Sequence, residues 1–203
     1  KQYPFGRGKY EIPTGRGKHY KPLNFEQQNF LLKNIDSKIH VDIFYVMCCT
    51  GVRVGEFCAI NFDKDIDLDN KFITINKSLD TYSGKVQRPK TEKSNRIIPF
   101  TDKLIPYLQR LRQYQINGKK YTYALISCYF KRLYKKLGLV GLNVHSFRHT
   151  FISLCYYAGI REKYIQKIAG HSDINVTLNI YTHILKRGIS PLLCYIQDLA
   201  KIL

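Results

Sequence analysis

Negative charge is scarce in this sequence. Asp and Glu number 15 against 33 Lys and Arg, leaving a formal charge of +18 over 203 residues. A fold does not need that excess to stay in solution, and it fits a polyanionic partner, although a basic ribosomal or merely soluble protein shares it. Long apolar runs are missing as well. No stretch approaches the roughly 18 consecutive apolar residues of a membrane span, so no membrane partner is expected. The opening Lys1-Gln2-Tyr3-Pro4 is basic but leads into no apolar run, so it does not read as a secretory signal, and the lack of an initiating Met fits a fragment. Cys48, Cys49, Cys58, Cys128, Cys155 and Cys194 form no Cys-x-x-Cys pair. Most lie in apolar runs such as Val46-Met47-Cys48-Cys49, which points to reduced, buried thiols in a cytosolic protein and not to a zinc site. Carboxylates clustered at two-metal spacing are also lacking near the basic motifs, so neither a metal nor another cofactor is expected.

What is present falls into segments, and the length suits one well-buried core more than two. Residues 1–22 carry Lys1, Arg7, Lys9, Arg16, Lys18 and Lys21 against Glu11, with Pro4, Pro13 and Pro22 as breakers. Gly-Arg-Gly-Lys occurs at 6–9 and 15–18, but His19 follows where a phosphate loop needs Ser or Thr, and no strand precedes it. A basic arm or interdomain linker is the expected structure. Asn24 and Gln27 have the spacing of a capping box, and Leu31, Leu32 and Ile35 give the following helix an apolar stripe. Ile39, Ile43, Val46 and Met47 predict a second helix ending at Gly51, with Arg53 just beyond it on a short helix through Ile60. Asp63 to Asp69 imitates a calcium loop, but Leu68 stands where Gly is required and Thr74 where Glu is, leaving a solvated turn.

Residues 72–75, 85–88 and 96–99 predict a small three-stranded antiparallel sheet ended by Pro99, with Lys90 beside the loop joining the last two strands. After Thr101 the pattern is mostly helical. Residues 110–136 hold eight Lys or Arg, no acid, and Tyr114, Tyr121, Tyr123, Tyr129 and Tyr134, a composition expected of a DNA-facing surface. The chain therefore reads as α+β and mainly helical.

Three short motifs carry chemistry. Thr50-Gly51-Val52-Arg53-Val54-Gly55-Glu56 places an arginine past a helix end. His145-Ser146-Phe147-Arg148 puts His145 and Arg148 on one helical face, within a run (Phe147, Phe151, Leu154) that reads as buried. A buried arginine needs a partner, and a phosphate matches its fork two oxygens at a time. Gly170-His171 follows a helix, and Tyr181 comes ten positions later. Each motif alone is ordinary: a solvated helix end, a structural histidine, one of sixteen tyrosines. The ordered set of Arg53, Lys90, His145, Arg148, His171 and Tyr181 is not.

That set resembles the tyrosine recombinases, or phage-type integrases. Their pattern of Thr-Gly-x-Arg-x-x-Glu, a hairpin lysine, His-x-x-Arg, Gly-His and a later tyrosine covers about residues 24–187. Lys85 and Lys93 flank the same hairpin, but Pro89-Lys90-Thr91 ahead of Ser94-Asn95-Arg96 is most similar to the family's form. The resemblance implies that 23–187 form a catalytic domain, that 1–22 once led to a separate DNA-clamping domain, and that a tail helix over 188–203 docks on its own core or on a neighbouring subunit. It implies a site-specific recombinase acting on double-stranded DNA as a homotetramer, in the cytoplasm at a prokaryotic nucleoid. Arg53 and Arg148, with Glu56 in support, would hold the scissile phosphate. Tyr181 would attack it with His145 as base, Lys90 would protonate the departing 5′-oxygen, and His171 would donate to a non-bridging oxygen. Neither ATP nor metal is then required. A type IB topoisomerase would share this chemistry, and a non-catalytic DNA-binding module would share only the charge.

Overall fold

The computed structural model describes residues 21–80, 83–87, 95–170 and 192–202. Helix α1 (Phe25–Asn34) opens on the predicted capping box: the Gln27 N–H donates to Asn24 Oδ1 at 2.8 Å, and the Asn24 N–H donates to Gln27 Oε1 at 3.0 Å. Two of the helix's orphan donors are thereby satisfied. Helix α2 (Lys38–Thr50) is the spine of the molecule. Ile43, Phe44, Val46, Met47, Cys48 and Cys49 are all buried, so it is apolar around most of its girth, as a central helix must be. Its one buried acid, Asp42, accepts a forked pair of hydrogen bonds from Arg110. Helix α3 (Val54–Ala59) follows after a three-residue break at Gly51, Val52 and Arg53.

Against α2 lie α4 (Ile105–Ile116) on one side and α6 (His145–Tyr157) on another. Phe44 and Phe130 both meet Phe147 edge to face, with ring centroids 5.1 and 4.8 Å apart, and so lock α2 to α6 and to α5 (Tyr129–Lys136). A π-helical turn, Ala124–Cys128, leads into α5. Helix α7 (Glu162–Ala169) follows α6, and α8 (Leu193–Ile202) returns across α6. Leu192, Tyr195, Ile196 and Leu199 are buried there, and Lys103 pairs with Asp198 at 2.7 Å. The last helix thus rests on its own core. The start of the tail expected over 188–203, residues 188–191, lies outside the described residues.

The sheet differs from expectation in its membership. Strands β1 (Ile66–Asp67), β2 (Phe72–Ile75) and β5 (Arg96–Pro99) form one antiparallel sheet in the order β1-β2-β5, with Ile73 opposite Ile98. The segment predicted as its middle strand instead supplies β4 (Val86–Gln87), which pairs with β3 (Ser78–Leu79) as a separate ribbon. Two-residue strands show no alternation, so only tertiary pairing decides where they go. The Asp63–Asp69 segment is also more than a solvated turn. Asp65 is buried, accepts the Asn61 N–H at 2.6 Å and pairs with Lys77 at 2.8 Å, which anchors the entry to β1.

Two further expectations need correction. Cys48, Cys49 and Cys155 are buried free thiols, but Cys128 and Cys194 are exposed. Within 110–136, Tyr121 and Tyr134 are core residues, Tyr129 stacks on His40 at 3.6 Å, and Arg110 and Arg112 are engaged by Asp42 and Asp63. The free basic face is narrower than the composition suggested. Among the described residues it comprises Lys119 and Lys120, exposed after α4, and Lys131, Arg132, Lys135 and Lys136, exposed on α5 while Phe130 and Leu133 turn inward.

Candidate active site

The site is built around the exit of α2. Gly51 takes the left-handed conformation, φ +65°, and a Cβ there would stand 2.3 Å from Phe151 Cδ1, so only glycine fits. The turn delivers Arg53 to the N-cap of α3 in extended backbone. Three hydrogen bonds hold this residue. Its N–H donates to Glu56 Oε2 at 2.8 Å, Nη1 donates to Glu56 Oε1 at 2.7 Å, and Nη2 donates to the Gly170 carbonyl at 3.2 Å. The side chain remains 37 % exposed, so it is fixed and still reachable.

Glu56 is buried and serves a second arginine. Arg96, at the start of β5, donates Nη1 to Oε1 at 3.0 Å and Nη2 to Oε2 at 2.7 Å, while its Nε reaches the Ile168 carbonyl at 2.6 Å. Burial alone would raise the Glu56 pKa. The Arg96 hydrogen bonds and charge, with Arg53 and Arg148 nearby, outweigh burial and bring it down to about 2. Sequence reasoning named Glu56 but gave Arg96 no role. The signal was available: in β5, Arg96 lies on the same face as the buried Ile98, so its side chain had to point inward.

The second arginine of the expected pair comes from α6. Asn143 Oδ1 accepts the His145 N–H at 2.7 Å and starts that helix. One turn on, Arg148 is 2 % exposed and donates Nη1 to the Gly51 carbonyl at 2.7 Å. Its Nη2 is buried with no hydrogen-bond partner among the described residues, and so is Nδ1 of His149. Leaving a buried donor unmade costs about 1–3 kcal/mol, more for a charged group. Burial and the Arg53 charge both work against the charged form of Arg148, although a guanidinium keeps its proton at neutral pH even so. Burial lowers His145 to about 4, helped by the charges of Arg148 and Arg53, and His149 falls to about 4 for similar reasons. The two rings lie edge to face, 5.4 Å apart. Both histidines are therefore neutral at pH 7.

Of the expected site residues, Arg53, Glu56, His145 and Arg148 come together. Lys90, His171 and Tyr181 lie outside the described residues, although Gly170, the residue before His171, already contacts Arg53. No cluster of His, Cys, Asp or Glu able to hold a metal occurs among the described residues, and none of their helices is long and apolar enough to cross a membrane. Two cavities of about 500 and 380 Å³ lie elsewhere, one beside β1 and α4, the other between Tyr107 and Tyr195. Neither is lined by the arginine pair. An open cationic face of this kind, with a buried donor at its floor, can take an oxyanion carried on a large molecule.

Comparison with known proteins shows the family. The phage integrase family matches residues 21–187. A XerC-like tyrosine recombinase of Caldanaerobacter subterraneus is 26% identical over 180 residues, covering 71% of this chain and 46% of its own length. The integrase of Staphylococcus phage L54a is 26% identical over 211 residues, covering 87% of this chain and 59% of its own. Among solved structures, the Tn1549 transposon integrase in complex with transposon right end DNA superposes with a TM-score of 0.69 at 29% identity, covering 84% of this chain and 63% of that one. The XerA recombinase shares the fold, with a TM-score of 0.63 at 21% identity, covering 94% of this chain and 66% of that one. This chain spans about half the length of the curated relatives it matches.

Proposed function

The chain belongs to the phage integrase family, and from that premise we propose that it carries the strand-transfer centre of a site-specific DNA recombinase. Its substrate is double-stranded DNA, and its reaction is cleavage and rejoining through a 3′-phosphotyrosyl link at Tyr181. One observation carries the reading: Arg148 is buried with an unmade Nη2 donor, beside a half-buried Arg53 fixed by Glu56 and Gly170. A core does not keep such a pair for stability, and a phosphodiester oxygen satisfies it. That relatives are named as integrases and transposases of mobile elements supports the same assignment.

In this scheme the two arginines neutralise charge as the phosphorus becomes pentacoordinate. The Tyr181 oxygen bonds to phosphorus, and the bond to the 5′-oxygen breaks. That oxygen takes a proton from Lys90, while His145 accepts the phenolic proton and His171 donates to a non-bridging oxygen. His145 suits its task because it is neutral before substrate enters. Burial is the larger cause of its depression and the Arg148 and Arg53 charges the smaller; an incoming phosphate offsets those charges, and so strengthens the base when it is needed. Because the phosphotyrosine conserves the bond energy, the scheme requires neither ATP nor metal. Residues 23–187 then form the catalytic domain, 1–22 a basic arm, and 188–203 a tail. The basic face of α5 tracks the DNA backbone, and the active assembly is a homotetramer on DNA at the nucleoid.

The test is a nicked suicide duplex, which traps the covalent link because the cleaved strand diffuses away. The chain is expected to give a denaturant-resistant protein–DNA band, unchanged by chelator, and Tyr181→Phe to bind duplex without forming it. A band that survives Tyr181→Phe would assign another nucleophile, and DNA binding with no band from the unaltered chain would leave a DNA-binding module.

A further inference from the structure

Arg96, which no sequence motif assigned to the site, makes three hydrogen bonds within it while its side chain is buried. Its side chain is 2 % exposed. It grips both oxygens of Glu56, the carboxylate whose same two oxygens hold the Arg53 backbone and guanidinium. Its Nε fixes the Ile168 carbonyl at the end of α7, and its aliphatic stem lies under Gly170, where a Cβ would stand 3.1 Å from Arg96 Cδ. Gly170 in turn accepts Arg53 Nη2 and is the residue before His171. Lys90 lies six positions before Arg96 in the sequence. One guanidinium therefore joins the start of β5, the N-cap of α3 and the exit of α7.

We propose that Arg96 is a positioning residue for strand transfer: through Glu56 it sets the Arg53 guanidinium, and through Ile168 and Gly170 it sets the chain that leads into His171. The inference rests on the strand-transfer reading above. It differs from a purely structural role in its geometry. A structural salt bridge needs charge; this one needs the planar fork, because one carboxylate and one carbonyl must be met together from fixed directions. A lysine keeps the charge and loses the fork.

The experiment uses the 203-residue chain and measures single-turnover formation of the covalent band on the suicide duplex for wild type, Arg96→Lys, Arg53→Lys and the double variant. Duplex affinity and melting temperature are measured alongside. Arg96→Lys is expected to stay folded, to bind duplex within about threefold of wild type, and to cleave about tenfold or more slowly, since small misplacements of a catalytic group cost rate steeply. If Arg96 acts through Arg53, the double variant cleaves no more slowly than Arg53→Lys alone. The Arg53 Nε–Hε NMR signal should also move in Arg96→Lys while amide signals remote from the site do not. Cleavage by Arg96→Lys within twofold of wild type, multiplicative rates in the double variant, or an unmoved Arg53 signal each overturn the proposal while the strand-transfer reading stands. A wild-type chain that forms no covalent product overturns that reading and this inference with it.

Discussion

Glu56 holds two guanidiniums with one carboxylate, and this makes the site sensitive to acid. Its pKa falls from an ordinary 4.5 to about 2 on folding. A depressed carboxylate contributes stability that is present above pH 4.5 and lost as pH falls toward 2. His145 and His149 are also depressed, from 6.5 to about 4, so the unfolded chain takes up protons first and stability drains away between those values. Melting temperature is therefore expected to decline in two stages, below about pH 6.5 and again below about 4.5. Glu56→Gln should remove the second stage and lower stability at pH 7 by about 3–5 kcal/mol, because it leaves buried arginine charge uncompensated. Both follow from urea midpoints measured across pH, and a profile flat from pH 7 to 4 would refute the histidine assignment. The same charges predict proton uptake on DNA binding. Phosphate at Arg53 and Arg148 should raise the His145 pKa, which a titration of its ring protons with and without duplex would record. No rise would place the phosphate elsewhere.

Gly51 decides the geometry of two elements at once, since it ends α2 and its carbonyl takes Arg148 Nη1. Gly51→Ala combines a left-handed backbone with a 2.3 Å approach to Phe151. The expected loss is roughly 2–5 kcal/mol, from positive-φ strain and overpacking together, with a larger loss of cleavage than of DNA binding. Thermal melts and the covalent-band assay would separate the two effects. This element was legible in advance: a helix-period apolar run stopping at glycine announces its own end, as the Asn24–Gln27 box announces the start of α1. The sheet was not, because β1, β3 and β4 are two residues long and take their partners from the fold. Arg96 fell between these cases. Its inward direction is local information, but its partners Glu56 and Ile168 lie 40 and 72 residues away. The tyrosines of 110–136 misled for a related reason, since composition cannot say which of them face α2.

At the scale of the whole molecule, α8 covers the helix that carries His145 and Arg148. Removing residues 192–203 would strip Leu192, Tyr195, Ile196 and Leu199 from the core, the three aliphatic ones worth about 1.5–3 kcal/mol apiece. A truncated chain is expected to melt at a much lower temperature and to bind a hydrophobic dye. Unchanged melting would show that α8 contributes little in this position. The excess of 33 basic over 15 acidic residues predicts duplex affinity falling linearly in log–log terms with salt, and neutralising Lys131, Arg132, Lys135 and Lys136 should flatten that slope. A slope left unaltered would move the DNA path off α5. The contacts that assemble the centre also carry a timing. Arg148 meets Gly51 across 97 residues, Arg53 meets Gly170 across 117, and Leu23 meets Thr150 across 127. Closures this long form late in folding. During synthesis from the N-terminus, α2 and Arg53 exist well before Arg148 emerges to complete the arginine pair and before Gly170 emerges to fix Arg53. On the proposed reading, a polypeptide that stops before residue 170 lacks the contacts that fix Arg53, so strand scission is expected only after that point of synthesis has passed.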